Sequence, residues 1–100
     1  MMRKVIIHEI ALREERTKED FSTLVAKIEE NGDLMLEGYD LGESPKKFWG
    51  DSDYEYWRTV EKKYKDTILL WLIKERFNSD SDFSDWLEEK GIPSKFMSWI

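Results

Sequence analysis

The sequence predicts an α+β domain: an antiparallel sheet of three to four strands with two C-terminal helices packed on one face. Period-two apolar patterning recurs in short segments ahead of Glu61, a Glu30-Asn31-Gly32 turn signal joins two of them, and helical spacing takes over from Glu61. One hundred residues, 14% of them aromatic, supply enough apolar surface for one compact core without staples, so 1–100 is read as a single domain.

The first strand is expected at about 3–13. Ile6, Ile10 and Leu12 fall on one parity and Val5, Ile7 and Ala11 on the other, as in a strand covered on much of both faces, with His8 inside it. The uniformly polar run from Arg13 to Asp20 reads as an exposed connection. Strands at about 21–29 and 33–41 follow as a hairpin. A two-residue Asn31-Gly32 turn would mix their faces. A three-residue loop ending in a left-handed Gly32 pairs Ile28 with Leu34, Ala26 with Leu36 and Leu24 with Gly38, which segregates the apolar side chains and is therefore favoured.

After Gly38 comes a loop with two glycines and a proline. Ser44 is placed to cap a short helical turn with Pro45 at its first position, presenting Phe48 and Trp49 on the following turn. A strand at about 53–60 sets Tyr54, Tyr56, Arg58 and Val60 on one side and Glu55, Trp57 and Thr59 on the other. A helix at about 61–77 is apolar almost all round, with Tyr64, Ile68, Trp71 and Leu72 on one arc, as in a helix that is deeply covered or meets a second surface. A second helix, at about 82–90, has possible caps in Ser79, Asp80, Ser81 and Asp82, buries Phe83, Trp86 and Leu87, and stops at Gly91-Ile92-Pro93. The tail carries Phe96, Met97, Trp99 and Ile100 and is expected to pack back as a short helix or edge segment.

Twenty-two acids against sixteen bases leave a net charge of −6, which opposes phosphate backbones and anionic lipid and favours basic partners. Nucleic acid and membranes are therefore not expected as partners. The absence of cysteine removes disulfides, thiol nucleophiles and thiolate metal sites, and is compatible with a cytoplasmic setting. His8 and Glu9 interrupt the apolar amino end before it reaches signal-peptide length, and the longest apolar run, Ile68 to Ile73, is too short to cross a bilayer.

No catalytic, metal or cofactor motif is visible. His8 has no second histidine to share a metal with, and Asn78 to Asp82 imitates a calcium loop only until Phe83 occupies the place where its sharp turn needs glycine. What remains is the cluster Phe48, Trp49, Asp51, Asp53, Tyr54, Glu55, Tyr56 and Trp57. It reads as a partner-binding surface, rings rimmed by acids, on a noncatalytic module for a basic protein. The alternative is a small hydrolase or ligand-binding protein using Asp51, Asp53 or Glu55. Self-association through the Ile68 to Ile73 helix is a further expectation.

Leu36-Glu37-Gly38-Tyr39-Asp40-Leu41-Gly42, then Phe48-Trp49-Gly50-Asp51-Ser52-Asp53-Tyr54-Glu55-Tyr56, and finally Gly91-Ile92-Pro93 with its following aromatics give the chain a resemblance to a family of small, uncharacterised bacterial proteins. The family resembled has an LEG-x-DLG segment, a long loop, an aromatic-acidic strand and two helices. The resemblance implies a single-domain bacterial cytoplasmic protein and brings no activity with it. In size and charge the chain is also similar to the acidic immunity proteins that neutralise toxins.

Overall fold

The turn at Gly32 sets the register from which the sheet is built, in a computed structural model that describes residues 5–50 and 53–99, less the side chains of Phe48 and Trp49. Gly32 takes φ 97°, a left-handed conformation that costs a side-chain-bearing residue about 1–2 kcal/mol. Its amide donates to the Glu29 carbonyl at 2.9 Å, the Glu29 amide donates to the Asp33 carbonyl at 2.8 Å, and Asn31 Oδ1 accepts from the Asp33 amide at 3.0 Å. Strand β2 (Asp20–Ile28) and strand β3 (Leu34–Gly42) consequently pair Ile28 with Leu34, Ala26 with Leu36 and Leu24 with Gly38. This is the bulged hairpin that apolar segregation favours. Strand β1 (Glu9–Arg16) precedes it and strand β4 (Asp53–Val60) follows, giving an antiparallel meander in the order β1-β2-β3-β4.

β1 departs from expectation in three ways. It starts after His8, whose carbonyl accepts the Ile28 amide at 2.8 Å, and it runs on through the polar residues to Arg16. The cause is a tight turn: the Thr17 amide donates to the Asp20 carbonyl at 2.8 Å, and Thr17 Oγ1 accepts from the Asp20 amide at 2.9 Å. Arg13 to Arg16 are thus drawn into the ladder rather than left as a connection. Second, the register shifts between Ala11 and Arg13, so Leu12 is the extra residue of a bulge and the simple parity of the segment breaks there. Third, β1 is an edge strand with Ile10 and Leu12 exposed, not a strand covered on both faces.

A short helix α1 (Glu43–Trp49) joins β3 to β4. Ser44 does not cap it. Ser44 lies inside the first turn, where its amide and its Oγ donate to the Asp20 carboxylate at 3.0 and 2.9 Å, so Asp20 reaches across from β2 to supply the acceptor that a helix N-terminus needs. These two bonds, the amide's first, hold Asp20 below the ordinary carboxylate pKa. Pro45 is correspondingly not the first helical residue, and it is buried.

The chain divides into two compact units: His8–Lys65, which holds the sheet and α1, and the described residues of Met1–Ile7 with Asp66–Ile100, which hold the two C-terminal helices. A 3-10 turn at Lys62–Tyr64 leads into helix α2 (Lys65–Arg76), followed by helix α3 (Asp80–Glu89), so the predicted helix at about 61–77 is a 3-10 turn plus a shorter α-helix. Ser79 caps α3 by accepting the Asp82 amide at 3.1 Å. Gly91 closes it in a left-handed conformation with φ 74°, and the Ile92 amide reaches back to the Leu87 carbonyl at 2.9 Å. Phe77, Phe83 and Trp86 form the aromatic centre of this unit, with ring centroids 5.2 Å apart for Phe77–Phe83 and 5.8 Å for Phe77–Trp86.

The helical unit corrects two further expectations. Phe83, Trp86 and Leu87 are half-buried rather than buried, and of the expected arc on α2 only Ile68 is half-buried while Tyr64, Trp71 and Leu72 are exposed. The tail forms neither a helix nor an edge strand: Phe96 is 79%, Met97 88% and Trp99 99% exposed. Pro93, two residues past Gly91, ends the helical path and sends the chain on in an irregular course. Among the described residues no helix is long and apolar enough to cross a membrane.

Candidate protein-binding face

The alternation of β4 divides the predicted cluster between the two faces of the sheet. Tyr54 and Tyr56 pair with Asp40 and Gly38 on one face; Asp53, Glu55 and Trp57 pair with Leu41, Tyr39 and Glu37 on the other. They cannot form one surface. Asp51 and the side chains of Phe48 and Trp49 lie outside the described residues.

On the first face the tyrosines serve the sheet itself. The Tyr56 ring lies directly over Gly38, so closely that a Cβ at that position would fall inside the ring. Its hydroxyl accepts from Arg13 Nη2 at 3.1 Å, Arg13 Nε donates to Ser22 Oγ at 2.9 Å, and Ser22 Oγ donates to Asp40 Oδ1 at 2.6 Å. Arg13 Nη2 also stands 3.8 Å from Asp40. One side chain from each of the four strands is thereby tied into a single network. Tyr54 packs against Tyr56 with ring centroids 5.3 Å apart. A cavity of about 400 Å³ beside this network is lined by Arg13, Ser22, Asp40, Asp20 and Ser44, whose polar groups bond one another.

The second face is different in kind. Glu37 sits opposite Trp57 and is held from both sides: Lys27 Nζ donates to Oε2 at 3.0 Å and Trp57 Nε1 donates to Oε1 at 3.3 Å. The lysine, then the indole, keep the Glu37 carboxyl below its ordinary pKa, while Glu37 raises that of Lys27. Trp57 nevertheless remains 56% exposed, because its bond to Glu37 orients the indole without covering it. Next along, Tyr39 stands opposite Glu55. Partial burial first, and the charges of Asp53 and Glu55 second, push its phenol pKa up. Thr23, Val25, Glu37, Tyr39, Glu55 and Trp57 line a cleft of about 280 Å³.

This face offers a fixed indole, a phenol and three carboxylates in one open strip. Such a strip attracts a cation twice over, through the ring quadrupoles and through charge. Within it Glu37, its carboxyl pKa lowered, is poorly suited to serve as a general acid, which needs a raised one.

Two of the residues that make the strip, Tyr39 and Lys27, escape a reading of the linear sequence. Tyr39 is separated from the aromatic-acidic strand by α1 in sequence and joins it only through the β3–β4 register, and Lys27 joins through Glu37. The hairpin register already puts Val25 across from Glu37, so continuing it outward is the signal that finds them. Of the possible caps at Ser79, Asp80, Ser81 and Asp82, Ser79 is the one realised. In the helical unit a larger, apolar cavity of about 620 Å³ opens between α2 and α3. No protein-family model, curated protein or solved structure matches this chain.

Proposed function

We propose that this chain is a noncatalytic protein-binding module that takes a basic segment of its partner on the open face formed by Glu37, Tyr39, Asp53, Glu55 and Trp57, in an adaptor or immunity-type role. The observation that carries it is the exposed Trp57 indole held in place by Glu37, with Glu55 and Asp53 close enough to raise the Tyr39 phenol. A lysine or arginine laid across Trp57 would meet an aromatic surface worth about 0.5–2 kcal/mol and, at its flank, carboxylates. The net charge of −6 adds long-range steering to the same sign of partner.

The test is a titration with lysine- and arginine-rich peptides, read by the indole resonance of Trp57. Trp57→Ala should weaken binding by about 2 kcal/mol, the scale of an interface hot spot, while Tyr54→Ala, on the other face, should leave it unchanged. The association rate should fall as salt is added. Equal binding of an acidic peptide of the same length, or a rate indifferent to salt, would defeat the reading.

A further inference from the structure

The register of β3 with β4 places Glu37 opposite Trp57 and, two residues along each strand on the same face, Tyr39 opposite Glu55. The four side chains therefore stand at the corners of one quadrilateral, the two rings on one diagonal and the two carboxylates on the other. Diagonal neighbours on such a face lie about 7–8 Å apart, close to twice the roughly 3.5–4.0 Å of a van der Waals contact, which is the space one layer of atoms takes. Thr23 and Val25 of β2, opposite Tyr39 and Glu37, continue the face and line the same cleft of about 280 Å³, and their short side chains leave it open.

The two carboxylates are not equivalent. Glu37 is engaged at both oxygens, by Lys27 at 3.0 Å and by the Trp57 indole at 3.3 Å, so its charge is balanced by the lysine and it serves to fix the ring. Glu55 is exposed, and among the described residues its carboxylate forms no hydrogen bond or ion pair. The cleft thus presents one uncompensated negative charge beside two rings, of which one is already held in place. That arrangement suits a single cation and asks for little further ordering of the face.

We infer that this cleft is an arginine subsite, in which the guanidinium of one partner arginine lies between Trp57 and Tyr39 and donates to the Glu55 carboxylate. The subsite rests on the reading of this face as the seat of a basic segment, and adds to it a choice between the two basic side chains. A guanidinium is flat and weakly hydrated, so it stacks on rings at low cost in lost water, and its N–H fork meets a carboxylate with two parallel bonds in its own plane. An ammonium is a compact, strongly hydrated point charge. It can reach Glu55 or a ring face but does not match a layer between two rings. A quaternary ammonium would satisfy the rings and leave the Glu55 carboxylate without a hydrogen bond.

The test uses the whole chain and three short glycine–serine peptides that differ at one central position, arginine, lysine or trimethyllysine, titrated while the Trp57 indole resonance is followed. The arginine peptide should bind about tenfold more tightly than the lysine peptide, toward the lower end of what one further hydrogen bond to a charged group contributes. Glu55→Gln keeps the shape of an exposed side chain and removes its charge. It should bring the two peptides within about twofold of each other, with the circular dichroism spectrum unchanged. Tyr39→Leu should weaken the arginine peptide more than the lysine peptide. Equal binding of the arginine and lysine peptides, tighter binding of the trimethyllysine peptide, or an arginine preference that survives Glu55→Gln would each overturn the subsite while leaving a basic-segment face in place. Failure of every cationic peptide to move the Trp57 resonance would overturn the face and the subsite together.

Discussion

At the scale of single residues, two contacts carry opposite kinds of information. Gly38 is a steric requirement, since the Tyr56 ring occupies the space a Cβ would take. Gly38→Ala should therefore displace the ring and cost about 1–3 kcal/mol, the range for overpacking a closely fitted site. Denaturant unfolding measures this. Combining it with Tyr56→Ala should recover part of the loss, because the second change removes what the first collides with. Glu37 is an electrostatic requirement. Its pKa is depressed in the fold, so the stability it contributes is present above the ordinary carboxylate pKa and is lost as pH falls through the lower folded value. In an acid titration the Trp57 indole proton should shift at a pH below the usual range for glutamate. Glu37→Gln should abolish that transition, and a shift at the ordinary carboxylate pKa would show that the bonds from Lys27 and Trp57 are not formed in solution.

At the scale of elements, local chemistry decides more than composition does. Helix α3 exists between a serine that accepts its first free amide and a glycine that reverses its last turn. Ser79→Ala should destabilise the helical unit by about 1 kcal/mol, measurable as a lower melting temperature. β1 teaches the same lesson from the other side. Its charged half looks like a connection, yet the Thr17 turn closes the hairpin and carries Arg13 to Arg16 into the ladder, where an edge position tolerates them. Asp20 shows how one residue serves two elements, as the first residue of β2 and as the acceptor for α1. Asp20→Asn should loosen α1, and its contribution, like that of Glu37, should fade as pH falls through a depressed pKa.

At the scale of the whole molecule, the outstanding feature is apolar surface. Among the described residues no hydrophobic side chain is fully buried, and Trp57 on the sheet, Leu70 and Trp71 on α2, and Phe96, Met97 and Trp99 in the tail all face outward. A chain that covers such surface by association gains stability with concentration, since anything that binds the folded state alone stabilises it by mass action. The melting temperature should rise with protein concentration, and a value constant over a hundredfold dilution would show that the chain is stable without association. Much of this architecture was legible in the sequence. The Gly32 hairpin, its register and the Gly91 end of α3 are each specified within a few residues by turn and cap chemistry, so no distant contact was needed to read them, whereas α3 starts at Asp80, ahead of the expected start at about 82. The β1 bulge, the join of Glu37 and Tyr39 to Glu55 and Trp57, the division of the aromatic cluster between two faces and the exposure of the tail were decided only in three dimensions. Turn geometry propagates a register only as far as the pairing is contiguous. Through α1 (Glu43–Trp49) that continuity is broken, and packing such as Tyr56 on Gly38, with bonds such as Trp57 to Glu37, sets how β4 meets β3.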